Sequence, residues 1–183
     1  MWHRTLTGLA LGAWLLTGPV QAMVARPADL GTLVRAARAI VHGRVIATDV
    51  QSSARTRVET RVTIEAAAYL KGDFGPLVTF VVPGGTLGRY RTVVSGAPQF
   101  TVGEEVVLFL GGRAPALPYV VRLGEGVFRV QADPRTGQRL VTRQPILGHS
   151  AQWERVVRGG SRAAPMSLAT LTTLVGELVE RQR

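Results

Sequence analysis

The chain has 183 residues, no cysteine and a formal net charge of +10. Without cysteine neither a disulfide framework nor a thiolate metal site can form, so the fold rests on its apolar core. Of the 22 basic residues only Lys71 is a lysine; a positive field of this size attracts polyanions whatever its origin.

Arg4 precedes a short apolar run at 6–17. Pro19 then breaks it, and Val20-Gln21-Ala22 offers small residues at the positions a signal peptidase reads. This predicts a signal peptide over 1–22 and an exported domain over 23–183, in the periplasm or outside the cell. Its core is expected at about 29–143, with a C-terminal helical extension at 148–183. The apolar run stops short of the roughly 20 residues of a bilayer span, so no membrane span is expected after cleavage.

Asp29, followed by Leu30, Leu33, Val34 and Ala37, predicts a capped amphipathic helix. From Ile40 the pattern turns to β, with Gly43 marking a bulge or close backbone approach inside a strand over 40–50. A polar loop is expected at 51–54. Residues 57–70 then alternate: Val58, Thr60, Val62, Ile64 and Ala66 on one side, Arg57, Glu59, Arg61, Thr63 and Glu65 on the other. Such alternation describes a half-buried antiparallel strand.

A turn at 71–76 leads into a strand at 77–82, stopped by Pro83-Gly84-Gly85, with 90–94 as its expected return strand. Residues 104–111 form the most apolar strand. Residues 119–130 predict a further strand with bulges at Gly124 and Gly126. Asp133-Pro134-Arg135-Thr136-Gly137 is a hairpin turn, and 140–143 pairs back. Trp153, Val156 and Val157 suit one amphipathic turn. Ser167 caps a final helix with Leu168, Leu171, Leu174, Val175 and Leu178 on one stripe, and Met166 forms a hydrophobic staple with Leu171. About six to eight short strands at this spacing predict a barrel or a sandwich.

The segment Val41-His42-Gly43-Arg44-Val45, then a Thr/Val strand ending in Tyr69-Leu70-Lys71-Gly72, resembles the opening of OB-like barrels related to netrin-type modules, the group of the tissue inhibitors of metalloproteinases. Val82-Pro83-Gly84-Gly85, Gly96-Ala97-Pro98-Gln99-Phe100 and the run at 103–110, in that order, resemble an uncharacterised family of secreted bacterial β-barrel proteins. The likeness covers about residues 30–143. It implies a mainly β fold: a partly open antiparallel OB-like β-barrel with a short N-terminal helix and an amphipathic C-terminal helix. It brings no activity with it, and the N-terminal cysteine that netrin-type inhibitors use has no counterpart here.

No catalytic constellation is legible. There is no G-x-S-x-G serine and no H-E-x-x-H. Beyond the signal the histidines are His42, a packed or surface strand residue, and His149, too close to Ser150 to serve it as a base. Asp133 lacks the alternating acidic run of a calcium loop. Glu104 and Glu105 point to opposite faces of a strand, one toward solvent and one inward to an arginine as a structural ion pair. The Pro83–Gly88 segment lacks the lysine and hydroxyl residue of a phosphate loop. No enzyme, metal or cofactor is expected.

Two binding readings remain. In the first, a protein or peptide partner in the cell envelope or outside docks at Gly84, Gly85, Tyr90 and Phe100, because interface hot spots favour aromatic residues. In the second, Arg55, Arg57, Arg61, Arg89 and Arg91 bind a polyanion (nucleic acid, lipid headgroup or acidic polysaccharide), the last two flanking Tyr90.

Overall fold

The computed structural model describes residues 29–53, 57–143 and 166–182. The expected signal peptide, Arg55, His149 and the turn around Trp153 lie outside the described residues.

The first helix, α1 (Leu30–Ala36), starts where the capping residue predicts. The Asp29 Oδ1 accepts the Thr32 N–H at 2.6 Å, which satisfies a first-turn donor that has no partner in the helix itself. The chain then enters β1 (Ala39–Ser53) and β2 (Arg57–Lys71), paired antiparallel along nearly their whole length. The loop expected at 51–54 is shorter than the polar sequence suggested. Gln51, Ser52 and Ser53 stay in β1, opposite Glu59, Val58 and Arg57.

Gly43 is required by contact. The pairing register slips between His42 and Gly43, and a Cβ there would lie 2.4 Å from the Glu65 carbonyl oxygen. Only a residue without a side chain lets the two strands approach so closely.

The third strand, β3 (Leu77–Pro83), pairs with β2 and alternates in burial, with Val78, Phe80 and Val82 inside. Its return partner differs from expectation. Residues after Gly84 fold back on themselves as a separate two-stranded hairpin, β4 (Gly85–Leu87) with β5 (Tyr90–Thr92). The next long strand is β6 (Glu105–Gly111), followed by β7 (Tyr119–Val120).

The single strand expected over 119–130 is broken. A 3-10 turn, Leu123–Gly126, intervenes before β8 (Val127–Ala132). Arg122 and Leu123 take left-handed backbone conformations at φ 52° and 55°, which an extended strand cannot accommodate. Gly124 and Gly126 therefore belong to a tight turn and are not bulges. The hairpin to β9 (Arg139–Arg143) forms as expected. Gly137 sits at φ +69° and donates its N–H to the Asp133 carbonyl at 2.8 Å. A two-residue strand, β10 (Met166–Ser167), pairs with β9 and leads into α2 (Leu168–Glu180), capped by the Ser167 hydroxyl.

The main sheet runs β1-β2-β3-β7-β6-β8-β9-β10, and β6 also pairs back to β1. The chain is thus mainly β, a partly open OB-like barrel. Its loose point is between β3 and β7, which meet in parallel at one pair, Val81 with Tyr119.

Two apolar cores follow from the alternation along β1 and β6. Val41, Val106, Leu108 and Leu110 point inward to join Val62, Ile64, Val78 and Phe80. Ile40, Val107 and Phe109 point outward, where Leu33 and Val34 of α1 and Leu171 and Val175 of α2 cover them. Because β6 serves both cores, it is buried on both faces.

Candidate functional site

Among the described residues, two regions that combine exposed apolar side chains with a defined backbone feature grow out of β3. The first is the β4–β5 hairpin. Gly84 takes φ +95° to turn the chain, and a Cβ on it would meet the Thr92 carbonyl at 2.8 Å. Gly85 lies against Thr60 Oγ1 and Val50, where a Cβ would come within 2.8 Å and 2.9 Å. These two glycines set the hairpin on the end of the barrel. Gly88, at φ +58°, takes the first central position of the turn, which a type II′ hairpin reserves for glycine.

The Gly85 face continues past the barrel through Leu87 and its cross-strand neighbour Tyr90. Tyr90 is 61% exposed and Val93, just beyond β5, is 74% exposed. The Arg89 guanidinium lies 5.1 Å from the Tyr90 ring centroid and donates to its hydroxyl at 2.9 Å. A held aromatic ring on a short hairpin loses little rotamer freedom when a partner covers it.

The second region is the seam between β3 and the loop 112–118. Pro76 accepts from Ala66 and Gly84 donates to Val58, so even-numbered residues of β3 turn their backbone groups to β2. Val81 donates to the Pro118 carbonyl across the seam. Leu77 and Thr79 have the parity of Val81. Their N–H and C=O groups face the seam, where no backbone group among the described residues pairs with them. Beside this edge lies a shallow cleft of about 220 Å³, lined by Phe74, Leu77, Thr79, Arg113, Pro115 and Pro118 among others.

The other expected site residues are dispersed. Phe100 packs edge-on against Phe80, with centroids 5.4 Å apart, and is half-buried against the inner core. Arg61 is exposed on the outer face of β2, opposite Asp49 and in line with Glu59 and Glu65. Arg89 and Arg91 are on the hairpin, which rests on the Thr60 side of the same strand. Successive residues of a strand face opposite ways, so Arg61 points away from the surface on which the hairpin sits. Arg57 opens β2.

The expected glutamate–arginine ion pair is present on the outer sheet face, and sequence reasoning missed the part of His42 in it and the second pair at Glu104. The His42 Nε2 is 2.6 Å from Glu105 Oε1, and Arg139 pairs with the same carboxylate. Burial, aided by the Arg139 charge, lowers the His42 pKa from its ordinary value of 6.5. The same Nε2 lies 3.3 Å from Arg139 Nη2, so the Glu105 carboxylate meets His42 and Arg139 together. Glu104 is not left to solvent either: it pairs with Arg129, which also donates to the Gln99 carbonyl at 2.6 Å. Both glutamates therefore brace neighbouring elements. No group of three or more His, Asp or Glu among the described residues is placed to hold a metal ion, and no helix among them is long and apolar enough to cross a membrane.

Fold and surface together describe a small OB-like barrel with a projecting aromatic hairpin and an open strand edge. Compared with known proteins, the sequence matches no family model and no curated protein.

Proposed function

We propose that this chain is an exported, non-enzymatic binding module that contacts a protein partner through the β4–β5 hairpin. The observation that carries the reading is Tyr90, a large aromatic side chain 61% exposed at the tip of a hairpin anchored by two conformationally required glycines. An exposed aromatic beside Leu87 and Val93 offers apolar area, and Arg89 and Arg91 supply a polar rim, the usual division of an interface. The signal-like sequence over 1–22 supports a partner in the cell envelope or outside.

The test is a photo-crosslinking amino acid placed at Tyr90 and, as a control, at Arg135 on the exposed β8–β9 turn, in cells producing the full chain. A discrete protein adduct from position 90, absent from position 135 and abolished by Val93→Asp, is expected. Equal, diffuse labelling from both positions would refute the reading. An adduct to nucleic acid or lipid at position 90 would favour the polyanion alternative.

A further inference from the structure

We propose a second binding site at the open seam, which takes a short extended peptide segment carrying a carboxylate and adds it to β3 as a strand. It lies toward the other end of β3 from the hairpin and stands independently of the partner assigned there. Three observations converge on it.

The first is backbone chemistry. Leu77 and Thr79 present two N–H donors and two C=O acceptors at strand spacing, without backbone partners across the seam among the described residues. Only another backbone in extended conformation offers the complementary alternation, which is the basis of strand addition as a recognition mode. The open length is short. Pro76 bounds it on one side, and the Val81–Tyr119 pair closes it on the other. That limit fits a short peptide and disfavours edge-to-edge pairing of whole sheets.

The second is the apolar lining. Phe74, Leu77, Pro115 and Pro118 border the cleft, and Leu77 is 59% exposed. A side chain of the added strand, small and β-branched for preference, covers this surface while its backbone pairs with β3.

The third is charge. Arg113 is the one charged residue lining the cleft, it is exposed, and no carboxylate among the described residues pairs with it. The whole chain carries +10. A glutamate, aspartate or terminal carboxylate on the peptide meets both the local and the global field. A second copy of this chain would bring the same positive charge to the seam, so the occupant is an acidic peptide and not a self-pairing edge.

The experiment is a titration of the nitrogen-15-labelled chain, followed by amide NMR, with three blocked peptides. These are acetyl-Val-Thr-Val-Glu-amide, the same peptide with Gln for Glu, and the Glu peptide N-methylated at alternate residues. Saturable shifts centred on the Leu77 and Thr79 amides are expected with the Glu peptide, with cross-strand contacts to Thr79, and none with the N-methylated one. Arg113→Gln is expected to weaken the Glu peptide about two- to fivefold and to leave the Gln peptide unchanged. Arg113 is exposed at a loop, so its replacement leaves the fold intact, as the unchanged remainder of the spectrum would verify. Absence of saturable shifts at Leu77 and Thr79 would overturn the proposal, as would equal binding of the N-methylated peptide or shifts centred on Tyr90. Equal affinity for the Glu and Gln peptides would overturn the assignment of a carboxylate ligand.

Discussion

Strands β6 and β3 have the same length, seven residues, and belong to the same barrel, yet they leave very different things over. From Val106 to Gly111, β6 is buried throughout, and it pairs with β1 on one edge and with β8 and β7 on the other. It joins the two cores and has nothing left to offer a ligand. β3 is buried on one face and fully paired on one edge. Its second edge is mostly open, and its continuation beyond Gly84 projects the aromatic hairpin. Stability is thus concentrated around β6, and the proposed recognition around β3. The barrel completes the hydrogen bonding of one strand and leaves that of the other incomplete.

The largest effect that would break this division is core truncation. Phe109→Ala on β6 removes a ring packed on Phe128 beside both helices, and is expected to cost about 3–5 kcal/mol in urea unfolding. Leu77→Ala on the open side of β3 should stay within about 0.5 kcal/mol. Similar losses for both would mean that β3 is as structurally committed as β6.

The next effect concerns the approach of β1 to its neighbours. Gly43→Ala drives a methyl group into the Glu65 carbonyl, and a loss of about 1–3 kcal/mol is expected. Wild-type stability in the same urea experiment would show that β1 can shift, and with it the bulge that seats β1 between β2 and β6.

A smaller, pH-dependent effect sharpens the picture of the β6 side. The His42 pKa is lowered on folding, by burial first and then by Arg139. The unfolded chain therefore binds that proton more readily. The contribution of His42 is fully present above its unfolded value near 6.5 and is lost as pH falls through the lower folded value. Stability is expected to decrease on acidification from about 6.5 down to the folded value, and to change no further through His42 below it. Arg139→Gln removes the repelling charge, so His42 should titrate at higher pH by NMR and part of the acid loss should disappear. An unchanged His42 titration would remove Arg139 from the network's electrostatics.

The smallest effect is expected at the hairpin tip. Tyr90→Ala should change folding stability by no more than about 0.5 kcal/mol, because the ring is not part of either core. A loss of several kcal/mol would make Tyr90 a structural residue and deprive the proposed interface of its anchor.

Much of the β6 side was legible in the sequence, because its signals are local. The Asp29 and Ser167 caps, the helical stripes, the alternation of 57–70, the apolar run of 104–111 and the Asp133–Gly137 turn each lie within a few residues. Gly43 could be marked for close approach, although not which carbonyl it meets. The β3 side was less legible. Nothing in residues 77–83 distinguishes a strand paired on both edges from one paired on one, since partners are set by residues as distant as Tyr119. The hairpin partner of Tyr90 was misjudged because Gly85–Leu87 is too short to carry a strand pattern. The interruption at Arg122 and Leu123 was hidden for a different reason: left-handed backbone at non-glycine residues has no compositional mark. A glutamate–arginine pair could be expected at 104–105, but its partners His42 and Arg139 could not, because they come to Glu105 from two other strands.

Amide hydrogen exchange, resolved residue by residue in the free chain, tests the division between the two strands most directly. The account predicts slow exchange at Val106, Leu108 and Leu110 of β6 and at Val78 and Phe80 of β3, with fast exchange at Leu77 and Thr79 between them. A Thr79 amide as protected as that of Phe80 would show the seam already paired, and would contradict the claim that β3 keeps an open edge.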